Sequence, residues 1–432
     1  MPLTLEALRS RLPGQPLFAE KDFLFSPEPF PLEPALVEEL EKLGHRLHVF
    51  QRACNELYHR SLAGKAPAWV AAYLDAGKPG ELLDFARQRQ FRAALPQVIR
   101  PDLLLTPEGF AITELDSVPG GIGLTGWLAE TYAAAGHDVL GGAGGMLAGF
   151  RSVLGDNADI FVSEEAATYR PEMEWCADLM NRESAAPPAW RVLRAEDGGG
   201  TAAVAYRFFE LFDLPNIPAA QALMDAAAAG RVRVTPPFKP WMEEKLWLAL
   251  FWARPLREFW RRELSERHFL RLRDHIPMSW VLDPAPLPHH AVIPGLEISD
   301  WREMAEFSQK QRDLVLKVSG FSPLAWGSRG VVAGSDVPGA EWAAAVGHAL
   351  AEFPHGPRVL MRFAHTRVVE HPYFDPSTGG VRTMRGRVRL CPYYFVAEEK
   401  VRLGGVLATI VPADKKIVHG MRDAILVPVV AG

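Results

Sequence analysis

Arg100 and Asp102 are one residue apart, as are Glu114 and Asp116. At that spacing two side chains of a β-strand point the same way. If the two stretches pair across the turn between them, one guanidinium and three carboxylates share a face. Carboxylate oxygens are the ligands a hard divalent cation takes, and an arginine beside them can meet phosphate oxygens. Two glycines follow at once, in Val118-Pro119-Gly120-Gly121. Gly121, Gly123 and Gly126 also spell G-x-G-x-x-G after a strand and at the opening of a helix, the pattern of a Rossmann NAD(P) site and hence of an oxidoreductase. Against that rival stands Asp116, just ahead of the glycines, where it would repel a pyrophosphate unless a metal intervened. A third reading of the acids is a solvated hairpin with surface carboxylates.

A second phosphate candidate lies some 200 residues on. Lys317 ends a strand and is followed by Gly327, Ser328, Arg329 and Gly330. An ammonium and loop N–H groups of this kind can hold phosphate oxygens, although the pattern is not a Walker A loop. An ordinary β-turn with a solvated lysine fits the same residues. Lys245, at the head of EEKLWLALFW, reads either as a helper at that site or as a surface lysine opening an amphipathic helix. The histidines show no metal spacing, so His289, His290, His365 and His371 are read as structural or loop residues. Cys54, Cys176 and Cys391 lie far apart with no C-x-x-C, which suits buried free thiols in a reducing cytoplasm.

The elements that must position these residues change character along the chain. Residues 1–95 read as helical, with Leu40, Leu43, Leu47, Phe50 and Leu57 at three- and four-residue steps. Strands are expected near 97–105 and 109–116, and helices near 123–135 and 143–154. An α/β stretch follows, with strands at 159–166, 190–197, 203–211 and 231–237, a helical segment up to Met180 and a helix at 220–230. A long helix begins at 243–252 and extends into the Arg-rich 254–273; the prolines of 284–290 mark a linker. The last third is strand-rich, at 313–320, 357–365, 386–398, 405–411 and 423–430, patterned as half-buried antiparallel strands.

The bulk numbers admit an ordinary soluble protein. The 432 residues suggest two or three lobes, and 48% apolar with 23% charged content is typical of globular chains. A net charge of -5 provides no general basic field for nucleic acid. No apolar run reaches the roughly 18 residues of a membrane span, and the N-terminal stretch lacks a signal-peptide pattern.

Taken together and in order, these motifs resemble the circularly permuted ATP-grasp family related to the synthetase domain of glutathionylspermidine synthetase. In that family an R-x-D strand and an E-x-N strand bind magnesium–nucleotide phosphates and precede the nucleotide lysine. Arg100 and Asp102 stand at R-x-D, Glu114 at the Glu, and Asp116 replaces the Asn. VAYRFFELFDL, ALMDAAAAGRVRVTPPF and EEKLWLALFW follow the family's middle run; Lys317 with GSRG is similar to its nucleotide lysine and flexible loop. GMRDAILVPV is similar to its closing strand, with Arg422 for the usual lysine and Asp423 matched. The likeness covers roughly residues 90–432.

The resemblance implies an α+β, ATP-grasp-like fold in four segments. These are a helical N-terminal segment (1–95), metal- and phosphate-binding strands and helices (96–155), a pre-ATP-grasp-like α/β region (156–285) and a nucleotide-binding lobe (286–432). It implies ATP and Mg²⁺ as cofactors, with Asp102, Glu114 and Asp116 on the metal and Arg100 on the transferred phosphoryl group. Lys317, Gly327, Ser328, Arg329, Gly330 and Lys245 would hold the nucleotide. The expected activity joins a small-molecule carboxylate to an amine, peptide or polyamine included, with neither nucleic acid nor membrane as partner. Two departures stand out. After Gly404-Gly405 the family carries an arginine on the strand, whereas this chain reads VLATIV, which leaves a nucleotide-binding protein of weak or no activity as an alternative. The adenine hinge falls at Met361-Arg362-Phe363, with arginine where glutamine is usual.

Overall fold

The computed structural model describes residues 3–13, 23–183, 189–325, 327, 329–418 and 423–432. Fifteen strands run through them: β1 (Phe30–Leu32), β2 (Val98–Thr106), β3 (Gly109–Asp116), β4 (Ala158–Val162), β5 (Trp190–Arg194), β6 (Val204–Phe208), β7 (Arg233–Thr235) and β8 (Ser279–Val281), followed by β9 (Leu314–Val318), β10 (Val331–Ala333), β11 (Arg358–Arg362), β12 (Val368–Phe374), β13 (Val381–Ala397), β14 (Lys400–Pro412) and β15 (Ile425–Ala431). The chain divides into two compact units, each discontinuous in sequence. One gathers Met1–His48, Arg89–Phe238 and Thr366–Gly432; the other gathers Val49–Gln88 and Lys239–His365. Each therefore collects pieces from several of the four segments read from the sequence.

The first unit is built on a seven-stranded sheet in the order β1-β15-β14-β13-β2-β3, with β12 beside β13. The expected hairpin is present and is joined, through β2, to strands almost 300 residues away: Leu104 pairs with Arg389 and Val98 with Phe395. The helices Ile122–Ala133 and Gly145–Leu154 pack on the C-terminal strands of this sheet. Tyr393 and Tyr394 lean to opposite sides. The Tyr393 hydroxyl donates to Gly120 O at 2.7 Å, and that of Tyr394 to Leu40 O, at the same distance, on the helix Pro34–Leu62. Elements on both sides explain why the expected alternation fails in the last strands. Residues 404–411 of β14 and 425–429 of β15 are buried without a break, as a strand covered on both faces must be. The helical N-terminal reading is met by Leu40, Leu43, Leu47, Phe50 and Leu57, each with no exposed surface. A parallel sheet, β5-β4-β6-β7, forms the α/β part of the unit.

The second unit carries an antiparallel sheet, β10-β9-β11-β8, over a core that includes Trp280, Leu314, Leu316, Trp342 and Leu360. The single long helix expected from 243 onward is broken twice: a short 3₁₀ turn at Arg254–Leu256 separates Leu246–Trp252 from Arg257–His275, and Ser265, at φ +64°, kinks the latter. Pro255 lies in that turn; its ring and missing N–H do not fit a helix interior. Among the described residues no helix is long and apolar enough to cross a membrane.

Candidate metal–phosphate site

The hairpin places its four polar side chains on one face. In the β2–β3 register Arg100 lies opposite Asp116 and Asp102 opposite Glu114, with a bulge after Asp102. Directly opposed residues of an antiparallel pair share a face, and so do residues two apart on a strand. On the other side of β2, Arg389 of β13 pairs with Leu104, which has the parity of Arg100 and Asp102. Arg389, Cys391 and Tyr393 therefore line the same face. The β2–β13 pairing is interrupted between Leu103↔Leu390 and Ile99↔Tyr394. Pro101 and Pro392 fall inside that interval; neither has an N–H, so the ladder loosens where the polar side chains converge.

The arrangement is a network of guanidinium and carboxylate. Arg100 reaches Asp116 at 2.8 Å and Asp102 at 3.4 Å, and Arg389 meets the other oxygen of Asp102 at 2.9 Å. Cys391 Sγ lies 3.4 Å from Asp102 Oδ1. Arg100 also donates to Gly120 O at 3.1 Å, the acceptor used by the Tyr393 hydroxyl. The second oxygen of Asp116 accepts from Val118 N–H at 2.8 Å, which folds the chain into the glycine turn.

Electrostatics in this face are strained toward negative charge. Burial pushes the Asp116 carboxyl above its usual range; Arg100 pulls it back, while Glu114 and Asp102 push it up again. Burial opposes the charge on Arg100 and Arg389, yet the carboxylates beside them hold both guanidiniums firmly protonated. Burial, with Asp102 next, lifts the Cys391 thiol to about 12, so it stays a neutral thiol. Oxygen donors that crowd one another in this way are of the kind a divalent cation takes. As the side chains stand, however, no group of three or more His, Cys, Asp or Glu among the described residues is arranged to hold a metal ion. Asp102 and Asp116 are turned onto arginines instead.

The G-x-G-x-x-G reading is corrected by its surroundings. Among the described residues its strand, β3, pairs only with β2, antiparallel, at the sheet edge, and forms no parallel βαβ unit. The N-terminus of the helix Ile122–Ala133 is already met by a carboxylate: Leu124 N–H donates to Glu172 Oε2 at 3.0 Å. A pyrophosphate would contend with that buried negative charge. The glycines serve packing. A Cβ on Gly123 would stand 2.6 Å from Glu172 O, and one on Gly121, at φ +87°, would stand 2.6 Å from the Tyr393 hydroxyl.

The second candidate is described in its own unit. Lys317 is buried on β9, paired with Val331 and Val359. Gly327 has φ +66° and is exposed with Arg329, while Gly330 packs where a Cβ would come 2.4 Å from Val318 Cγ2. Ser328 and Arg422 lie outside the described residues. Lys245 is buried; its ammonium donates to Ala325 O at 2.7 Å and Ser319 O at 3.4 Å, gripping the start of the loop. Beside it the sequence offered no warning of a buried ion pair. Lys78 meets Glu244 at 2.5 Å with both side chains 2% exposed, and Ser319 Oγ donates to the same carboxylate. At the expected adenine hinge, Arg362 lies over the Trp280 ring and donates to Gly295 O.

Two residues of the first site escaped the sequence: Arg389 and Tyr393. Both lie on a strand nearly 300 residues from Arg100, and no local motif marks them. The only trace was the odd parity of Arg385, Arg387 and Arg389, which share one face of a strand. β14 carries no arginine from Val406 to Pro412, but Arg389 is the register partner of its Thr409.

No protein-family model matches the chain, and no curated protein matches it. Among solved structures it is similar to a glutathione synthetase-like effector, GSS30, from Globodera pallida, in apoform. The TM-score is 0.57 at 11% identity, over 95% of this chain and 90% of that one. A candidate gamma-glutamylcysteine synthetase from Methylobacillus flagellatus KT matches at TM-score 0.41 and 12% identity, over 89% of this chain and 85% of that one. The chain shares its mixed α+β fold with the first of these.

Proposed function

We propose that this chain is an ATP- and magnesium-dependent carboxylate–amine ligase of the circularly permuted ATP-grasp kind. The observation that carries the reading is the shared face of Arg100, Asp102, Glu114 and Asp116, with the Asp116 carboxyl raised by burial and, after it, by its acidic neighbours. In this proposal the three carboxylates hold Mg²⁺, which when bound offsets charge on the β- and γ-phosphate oxygens. Arg100 faces the transferred phosphoryl group, where a guanidinium counters developing charge. The substrate carboxylate takes the γ-phosphoryl group, and an amine then displaces phosphate to form an amide. Lys317 and the Gly327–Gly330 loop keep the nucleotide role that the resemblance assigns them, and Lys245 fixes the start of that loop. The fold shared with a glutathione synthetase-like effector supports a synthetase-like scaffold.

Thermal melting with Mg²⁺ and a non-hydrolysable ATP analogue tests the proposal. Stabilisation that depends on both is expected, together with a loss of affinity of at least about tenfold in Glu114→Gln. No shift in the wild-type protein, or a shift with NAD(P) that ignores magnesium, would defeat it. One specific observation favours a second reading, a nucleotide-binding protein without turnover. Asp102 and Asp116 already meet arginines, and β14 carries none from Val406 to Pro412. Single-turnover release of ADP separates the two, since binding without release leaves only the second.

A further inference from the structure

We infer that Lys78, from the helical N-terminal segment, is a positioning residue of the loop that leaves β9, and through that loop of the site read at Lys317. The second half of the inference rests on the nucleotide role proposed for Lys317; the first stands on geometry alone. Lys78 lies outside the stretch that carries the family likeness, and no motif marks it. A short strap carries it in. Between the helices Ala68–Asp75 and Gly80–Ala86, Gly77 takes φ +71° and passes so close to His355 that a Cβ would stand 1.8 Å from its carbonyl oxygen. Tyr73, on the first of these helices, donates to Asp283 and packs edge-on against Phe353. The ammonium so placed meets Glu244 at 2.5 Å and lies 5.8 Å from the centre of the Phe321 ring.

Glu244 accepts from Ser319 Oγ with its other carboxylate oxygen. Ser319 is the first residue past β9, two on from Lys317. Its hydroxyl also accepts from Leu246 N–H at 2.8 Å, and its carbonyl from Lys245 N–H at 3.4 Å. Gly320 then turns where a Cβ would stand 2.4 Å from Glu243 O. Phe321 follows at φ +47°, a left-handed conformation that a phenylalanine keeps only where its surroundings hold it. Lys78 therefore flanks the chain reversal on both sides of Gly320, at Ser319 through Glu244 and at Phe321 directly. A buried pair that served stability alone would need neither contact.

Amide hydrogen exchange in wild type, Lys78→Met and Val346→Ala tests the positioning. Val346, 1% exposed in the core of the same unit, supplies the control for lost stability. In Lys78→Met the amides of Lys245 and Leu246, which report where Ser319 stands, are expected to exchange at least about tenfold faster, while the β9–β11 ladder keeps its wild-type rates. Val346→Ala produces no such local change. Wild-type rates at Lys245 and Leu246 in Lys78→Met, or a rise shared by the whole unit, would overturn the inference. If Lys78→Met does not fold, Ser319→Ala cuts the hydroxyl link and leaves the pair intact; an unaltered Lys245 amide in that variant overturns it equally. Affinity for adenylyl imidodiphosphate with MgCl₂, measured where every variant is folded, is the second readout. It is expected to be about tenfold weaker in Lys78→Met and partly restored in Lys78→Arg. Wild-type protein that binds no nucleotide defeats the functional reading and the nucleotide half of this inference, and the exchange rates then decide the rest. Wild-type binding with unaltered affinity in Lys78→Met overturns the inference alone.

Discussion

Asp102 illustrates how one carboxylate serves several masters at the residue scale. It accepts from Arg100 and Arg389, lies against the Cys391 thiol, and is buried. The types and spacing of Arg100, Asp102, Glu114 and Asp116 were legible because strand parity is a local property, readable from residues two apart. Arg389 and Tyr393 were not, because pairing between β2 and β13 is a tertiary event that no local pattern announces. Gly121 is the next most constrained residue of the site. Its φ of +87° is a left-handed conformation, and the Tyr393 hydroxyl fills the place of a Cβ. Gly121→Ala should therefore cost about 2 kcal/mol or more in urea unfolding, from backbone conformation and collision together. A variant as stable as wild type would show that the turn and Tyr393 move apart easily.

Among the elements, the β2–β3 hairpin and the strand β9 hold their polar residues by different means, each in its own unit. The hairpin has a ladder to β13 that is interrupted around Pro101 and Pro392, and its boundaries, expected at 97–105 and 109–116, came out within a residue at each end. The run from β9 into its loop is held by charges that were invisible in the sequence, since Lys78 and Glu244 are 166 positions apart and neither sits in a motif. Removing one partner leaves the other buried without compensation. Lys78→Met or Glu244→Gln alone should cost about 3–5 kcal/mol, and the double variant clearly less than the sum. A double-mutant cycle in urea reads the coupling; additivity would mean the pair contributes nothing as a pair. The expected long helix from 243 failed for a plainer reason, since apolar periodicity continues across Pro255 although the backbone cannot.

For the whole molecule, each unit is assembled from distant pieces, and its stability is tied to buried polar groups as well as to apolar cores. His371 is one of these. It is 2% exposed, stands 3.1 Å from Ser26 Oγ and packs against the Phe30 ring. Burial lowers its pKa to about 4 from 6.5. A base whose folded pKa is depressed is neutral in the fold, so the unfolded chain binds the proton first. Stability is full above pH 6.5, falls as pH drops from 6.5 to 4, and loses up to about 3 kcal/mol over that window. His371→Gln should flatten this slope in urea unfolding measured at pH 7 and pH 4.5; an unchanged slope would assign it to other groups. The mixed α+β class was legible from the order of helical and strand patterns. The discontinuous units were not, because long-range strand order leaves no trace in periodicity.

The measurement that bears most directly on the hairpin is anomalous diffraction from crystals holding Mn²⁺, in place of Mg²⁺, with adenylyl imidodiphosphate. The account predicts a manganese peak among the carboxylates of Asp102, Glu114 and Asp116, and a phosphate oxygen beside Arg100. A nucleotide bound elsewhere, or crystals with no manganese on this face and Asp102 still held by both arginines, would contradict it.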